Sequence, residues 1–177
     1  MPATPADLMA MLDRLGLAVT TVTHPPVFTV ADARAVRHEI SGAHTKNLFL
    51  VDKKGRLFLV TAEEEAAIDL KHLHQRLGAT GRFSFGKPEL LMATLGVAPG
   101  AVTPFAAIND LERRVTVVLD PALVAAGRIN AHPLVNTATT AISAADLIAF
   151  LKAAGHDPLI VAVSETRSSE SPAVGEL

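Results

Sequence analysis

His44-Thr45-Lys46-Asn47-Leu48-Phe49-Leu50-Val51-Asp52-Lys53-Lys54-Gly55-Arg56-Leu57-Phe58-Leu59-Val60-Thr61 decides the fold of this chain. Two apolar runs, 47–52 and 56–61, flank the charged segment from Asp52 to Arg56. Short runs of strand formers broken by a Gly-containing turn predict a β-hairpin, with Gly55 where a positive φ is needed. His44, Thr45, Lys46 and Asn47 stand at the mouth of the first run. A strand turns successive side chains to opposite faces, so these polar groups project from a rigid edge. Lys46 is the residue to explain. It is either an amine snorkelling from apolar surface into water or a cation aimed at an anionic or carbonyl group.

Outward from the hairpin, helices and strands interleave without a strict βαβ rhythm. Thr4-Pro5-Ala6-Asp7 reads as a helix start, with Thr4 as cap and Asp7 near the positive end. Leu8, Met11, Leu12 and Leu15 follow at helical spacing, and Gly16 ends the run. Residues 17–23 read as a strand, broken at His24-Pro25-Pro26. A second helix opens at Thr29-Val30-Ala31-Asp32 and ends near Gly42. Helices are predicted over Ala67 to Leu77, Lys87 to Leu95, Pro121 to Ala126 and 144–154, the last capped by Ser143. Strands are predicted over Val115 to Leu119, 134–142 and Leu159 to Val163. With no internal repeat and no linker, the pattern predicts one mixed α/β domain over 1–164. The Ser/Glu/Pro-rich segment 165–177 reads as a flexible tail.

The composition narrows the chemistry. The 177 residues are 49% apolar but only 4% aromatic, so the core is aliphatic. The absence of Trp and Tyr argues against broad base-stacking platforms, although seven Phe remain. With no cysteine there is no disulfide, thiolate nucleophile or thiolate metal site. No signal pattern or bilayer-length apolar run stands out, so the expected location is cytoplasmic. The net charge of −2 argues against non-specific nucleic-acid binding. Between Arg34 and Lys87, however, ten Lys/Arg face six Asp/Glu, and one region has the sign to meet a phosphate backbone.

Two further stretches carry candidate chemistry. Gly96 to Phe105 packs two Gly and two Pro into a shaped loop able to wall a small pocket. The plainer reading is a helix-to-strand connection. In Asn130-Ala131-His132-Pro133, His132 is pushed toward extended geometry by Pro133. Its ring can serve a cleft or be structural. Asn136, Thr137 and Thr139 fit the solvent face of an edge strand. Metal binding is disfavoured, since His72 and His74 fall on different faces of a helix and the other histidines are scattered. Glu63-Glu64-Glu65 reads as a solvated helix start. No phosphate-binding loop, dinucleotide fingerprint or nucleophile elbow is present, so any hydrolysis activates water by another route.

Together, His44-Thr45-Lys46-Asn47-Leu48-Phe49-Leu50, Asp69-Leu70-Lys71-His72-Leu73, Pro99-Gly100-Ala101-Val102-Thr103-Pro104-Phe105, Ile108-Asn109-Asp110 and His132-Pro133-Leu134-Val135-Asn136-Thr137 resemble the YbaK / prolyl-tRNA-synthetase-associated editing domain family. Within it the chain is most similar to the free-standing Ala-tRNA(Pro) deacylase branch (ProXp-ala). The resemblance implies a mixed sheet curved around a small pocket and flanked by helices. It implies trans-editing of Ala-tRNA(Pro), without a cofactor, metal or covalent intermediate, by a cytoplasmic monomer that works beside prolyl-tRNA synthetase. Lys46 matches the catalytic lysine, which binds the aminoacyl ester and stabilises oxyanion charge. The resemblance also implies that Thr45 and Asn47 contact substrate, that Gly100, Thr103, Pro104 and Phe105 line the amino-acid pocket with His132 closing its other side, and that the terminal ribose hydroxyl of the tRNA helps to position water. Arg82 and Lys87 are candidates for the acceptor stem. The competing expectations are a sibling deacylase for Cys-tRNA(Pro) or Ser-tRNA, and a non-catalytic tRNA- or synthetase-binding module.

Overall fold

Leu48-Phe49-Leu50-Val51 and Leu57-Phe58-Leu59-Val60 are apolar without alternation, the pattern of strands buried on both faces. In the computed structural model, which describes residues 1–26, 31–32 and 40–165, they form the centre of a mixed sheet. In chain order the elements are α1 (Pro5–Arg14), β1 (Thr20–Thr23), β2 (Ala43–Val51), β3 (Leu57–Glu63), α2 (Leu73–Arg76), β4 (Ser84–Phe85) and α3 (Pro88–Leu95). Two 3-10 turns, Pro99–Ala101 and Pro104–Asn109, lead to β5 (Val115–Leu119), α4 (Pro121–Ala125), β6 (Arg128–Ala131), β7 (Ala138–Ser143), α5 (Ala144–Ala153) and β8 (Leu159–Ile160). The strands run in the order β1-β7-β6-β2-β3-β5-β8, with β4 added against β2.

The predicted hairpin is present, with Thr45 opposite Glu63 and Val51 opposite Leu57. Gly55 has φ +80 at its turn. Phe49, Leu57, Leu59, Val115, Val117 and Leu119 pack on one face against α1, α3 and α5. Leu50, Phe58, Val60 and Val118 pack on the other, against Leu73, Leu77 and Val163. Truncating Leu59, which is fully buried, to Ala costs about 2–5 kcal/mol. The helix starts read from the sequence hold: Thr4 and Asp7 form a reciprocal capping box, and Ser143 caps α5.

Several boundaries differ from expectation, among them the strand expected over 17–23, which starts at Thr20. The helix predicted over 67–77 is reduced to Leu73–Arg76. Ile68 instead bridges Ser164, and the Ala67 carbonyl accepts the Glu165 amide at 2.7 Å. Backbone engaged across the sheet is lost to a helix, and Glu63-Glu64-Glu65 therefore ends β3 and enters a turn. The strand predicted over 134–142 starts at Ala138, because Pro133 and Leu134, at φ +69, turn the chain first. It is interior, between β1 and β6, so Thr139 and Thr140 are buried and not on a solvent face. The last strand is confined to Leu159–Ile160. The helix expected from Thr29 toward Gly42 lies outside the described residues except for Ala31, Asp32 and its last positions. Of the expected tail, Glu165 is described and residues 166–177 are not. Among the described residues, no helix is long and apolar enough to cross a membrane.

Candidate active site

β2 and β6 run parallel, with Ala43 opposite Ile129 and His44 opposite Asn130. Thr45 fastens them by donating its hydroxyl to the Asn130 carbonyl at 2.9 Å. The Asn130 side-chain amide donates to the Ser41 carbonyl at 2.9 Å, while its buried Oδ1 has no partner among the described residues. Gly42 makes this junction possible. Its φ is +106, and a Cβ would stand 2.9 Å from the Asn130 amide nitrogen. Two residues past the last paired positions come Lys46 on β2 and His132 beyond the end of β6.

Lys46 leaves β2 on the face of Leu48 and Leu50. It is half-buried, and its amine donates to the Ala66 carbonyl. An ammonium has three protons to give, so this contact fixes the head group without saturating it. Asn47 leaves the opposite face. Its Oδ1 accepts the fully buried Thr61 hydroxyl at 2.7 Å. The neighbouring pair is thus split across the sheet, with the amide tied into the interior.

His132 is held through Nδ1, which lies 3.0 Å from the Ala138 carbonyl. A carbonyl only accepts, so in the neutral ring Nδ1 carries the proton and Nε2 keeps a lone pair. Burial pulls its pKa below the ordinary 6.5. The Ala138 bond opposes this, the His24 charge adds to it, Glu64 opposes it and His44 adds to it. Among the described residues no hydrogen bond uses Nε2. The turn after β3 grips β2 on both sides of Thr45: the Glu64 amide donates to the His44 carbonyl at 2.9 Å, and the Ala66 carbonyl receives the lysine.

The Gly-Pro loop divides in two. Gly100 is exposed and lines, with Ala101, Leu134 and Asn136, a cavity of about 500 Å³. Lys46, Asn47 and His132 do not line it. Thr103, Pro104 and Phe105 belong to the interior. The Thr103 hydroxyl accepts the Phe105 amide at 3.3 Å, and the fully buried Phe105 ring packs edge-on against Phe150 at 5.4 Å. These three anchor the loop from within.

Arg82 and Lys87 are exposed on either side of β4. β4 pairs antiparallel with Leu50 and Val51, and the Gly86 amide donates to the Phe49 carbonyl, so Arg82 sits by the far end of β2 from Lys46 while Lys87 follows Gly86 toward the Lys46 end. At the strand rise, five residues separate those ends by about 17 Å. Arg82 is therefore not beside the lysine, whereas Lys87 lies on the lysine's side of β4. His24, Thr139 and Glu64 were not singled out as site residues, yet they join the His132 cluster. Their sequence signals were those of a strand break, an edge strand and a helix start.

The aminoacyl-tRNA editing domain family model matches residues 24–150. The chain is 42% identical over 157 residues to prolyl-tRNA synthetase associated domain-containing protein 1 of Danio rerio, covering 88% of this chain and 85% of that protein. It is 38% identical over 150 residues to prolyl-tRNA editing protein ProX of Acetoanaerobium sticklandii, covering 84% and 91%. In fold it is similar to the crystal structure of a candidate trans-editing enzyme for prolyl-tRNA synthetase. That likeness has a TM-score of 0.68 at 20% identity and covers 94% of this chain and 100% of the other. The chain belongs to the aminoacyl-tRNA editing domain family and is an aminoacyl-tRNA deacylase.

Proposed function

We propose that the chain trans-edits Ala-tRNA(Pro), releasing alanine from tRNA(Pro) misacylated by prolyl-tRNA synthetase. A synthetase pocket that fits proline rejects a smaller apolar side chain weakly, because each missing methylene is worth only about 1–3 kcal/mol. A second hydrolytic site able to admit alanine and exclude proline restores fidelity. One observation carries the reading: the parallel register of β2 and β6 sets Lys46 and His132 each two residues past the His44–Asn130 pair, with the Lys46 amine held at Ala66 and the His132 ring held through Nδ1 alone. A cation and an unprotonated imidazole beyond the same pair suit an ester. Water adds to the aminoacyl carbonyl, the Lys46 ammonium stabilises the oxyanion, and collapse returns the ribose hydroxyl and frees alanine. The chemistry calls for no cofactor.

In this reading Thr45 and Asn47 brace the lysine's strand, and Gly100 supplies the open side of the loop that Thr103, Pro104 and Phe105 anchor. Arg82, about 17 Å along β2 from Lys46, and Lys87, nearer to it, meet backbone phosphates of the acceptor stem while the single-stranded end reaches Lys46. The editing unit spans residues 1–164 and works as a monomer in the cytoplasm, on product released by the synthetase.

The test is deacylation of tRNA(Pro) charged with Ala, Cys, Ser or Pro, by the protein and by Lys46→Ala. The expected result is hydrolysis of Ala-tRNA(Pro), sparing of Pro-tRNA(Pro), and loss of activity in the variant. Preference for the Cys or Ser ester reassigns the specificity. Binding without hydrolysis of any substrate overturns the reading in favour of a non-catalytic module.

A further inference from the structure

His24 grips the chain on both sides of the first residue of β7. Its backbone amide donates to the Thr137 carbonyl at 2.9 Å, and its Nε2 lies 2.8 Å from the Thr139 hydroxyl. Between these two points is Ala138, whose carbonyl holds Nδ1 of His132 at 3.0 Å. The remaining His24 nitrogen, Nδ1, lies 2.8 Å from the Pro25 carbonyl. A carbonyl accepts only, so in the neutral ring Nδ1 donates there and Nε2 accepts the Thr139 proton. Both His24 nitrogens are thus occupied and the ring is fixed, its centroid 6.3 Å from that of His132 and its plane tilted by 51°. One residue along, a Thr21–Thr140 hydroxyl bond of 2.8 Å staples the same strands.

Any residue except proline can supply the amide contact. The ring contact is specific to the side chain. Thr139 is only 5% exposed, and a buried hydroxyl needs a partner. Without His24 the hydroxyl must turn elsewhere, and the Ala138 peptide loses one of the supports on either side of it.

We infer that His24 is a positioning residue for His132: by clamping the start of β7 between Thr137 and Thr139 it fixes the Ala138 carbonyl, which sets the orientation and tautomer of the His132 ring. This rests on the proposed reading that His132 works on substrate. His24 itself touches no reacting atom. A second consequence follows from charge. Two imidazoles this close disfavour a second proton, so His24 also helps to keep His132 neutral, together with the His44 charge and against that of Glu64.

Two measurements test the inference. The first is the ¹⁵N NMR signature of the His132 ring, which reads the tautomer without reference to activity. The parent is expected to show the Nδ1–H form. His24→Ala and Thr139→Val are expected to show a mixture of tautomers, and His24→Gln, which keeps a hydrogen-bonding group near the Nε2 position, is expected to restore the parent signature. The second is hydrolysis of Ala-tRNA(Pro). The expected result is a roughly 10-fold fall in kcat for His24→Ala, the size seen when a working imidazole loses its orienting partner, with KM little changed. In a His132→Ala background the same substitution is expected to add no further loss. An unaltered His132 signature in folded His24→Ala, or in Thr139→Val if His24→Ala does not fold, overturns the inference. So does a full additional loss in the His132→Ala background. If no tRNA is deacylated at all, the proposed function fails, and the NMR arm alone decides the positioning.

Discussion

At the Val51 end of β2, the Asp52 carboxylate accepts four hydrogen bonds: from the Lys54 and Arg56 amides at 2.9 Å each, the Arg56 Nε at 2.8 Å and the Thr80 amide at 3.0 Å. At the other end, six residues before Asp52, the Lys46 amine gives one bond to Ala66, and the His132 ring, past the end of the paired strand β6, uses one nitrogen of two. Both ends of β2 have ionisable groups at or beside them in partly or wholly buried positions. They differ in saturation. Every lone-pair direction of Asp52 is spent on holding the hairpin to the Gly78–Thr80 loop. Lys46 and His132 are oriented by one contact each and keep capacity for a ligand. A satisfied buried charge fastens the fold, and an oriented but unsatisfied one is available for chemistry.

Removing the unsatisfied cation gives the largest effect. Lys46→Ala is expected to lower kcat/KM for deacylation on the order of 100-fold, the cost of losing an oxyanion donor. Its melting temperature should stay close to the parent's, because the amine supports only one backbone carbonyl. A collapse in melting temperature would move Lys46 to the same class as Asp52 and break the contrast.

His132 sharpens the contrast through pH. Burial lowers its pKa from 6.5, so the ring is neutral at pH 7, and deacylation is expected to persist below 6.5 before falling. The sign for stability is the same. A depressed folded pKa means that the unfolded chain binds the proton more readily, so the ring's contribution is complete above 6.5 and drains as pH falls through the folded value. His132→Gln is expected to reduce kcat on the order of 100-fold and to remove the acid limb. An acid limb that persists unchanged would assign the titration to another group.

The saturated end was legible in the sequence, and the open end only in part. Apolar runs around Asp52-Lys53-Lys54-Gly55-Arg56 specify the hairpin locally, through turn chemistry and strand propensity, so its register follows from nearby residues. Lys46 stood out because a cation interrupts that pattern. The partners that orient it are non-local. β6 is four residues long and carries no alternation to announce a strand, yet its parallel pairing brings Asn130 and His132 beside β2. His24 looked like a strand end followed by prolines, and Thr139 looked like surface. Only the interior position of β7 joins them. The short α2 failed for a related reason, because pairing of Ala67 and Ile68 with the C-terminal segment overrides a helical apolar period.

Asp52 gives the matching test at the saturated end. Burial pushes its carboxyl up, but donation from Thr80, Arg56 and Lys54 outweighs that and holds it at about 2, below the ordinary 3.8. A depressed carboxylate contributes fully above 3.8 and loses that contribution as pH falls toward 2. Asp52→Asn is expected to melt several degrees lower at neutral pH, with deacylation per folded molecule unchanged. Between pH 4 and 2 its stability should decline less steeply than the parent's. Parallel slopes in acid titrations of the two proteins would show that the four bonds do not set the pKa.

The smallest effect is expected at Arg82, which shares the hairpin end of β2 but faces solvent. If chemistry is confined to the open end and RNA backbone contact to the hairpin end, Arg82→Glu should raise KM for Ala-tRNA(Pro) and leave kcat alone. The rise should be greatest at low salt, because neutralising one phosphate releases about one counterion, and the salt slope of log KM should change by about 1 unit. Lys46→Ala should show the reverse, a kcat loss that salt does not alter. A salt-independent KM in Arg82→Glu would remove the hairpin end from the RNA path. A fall in kcat would mean that the two ends of β2 communicate, and the separation between fastening and chemistry along this strand would then be incomplete.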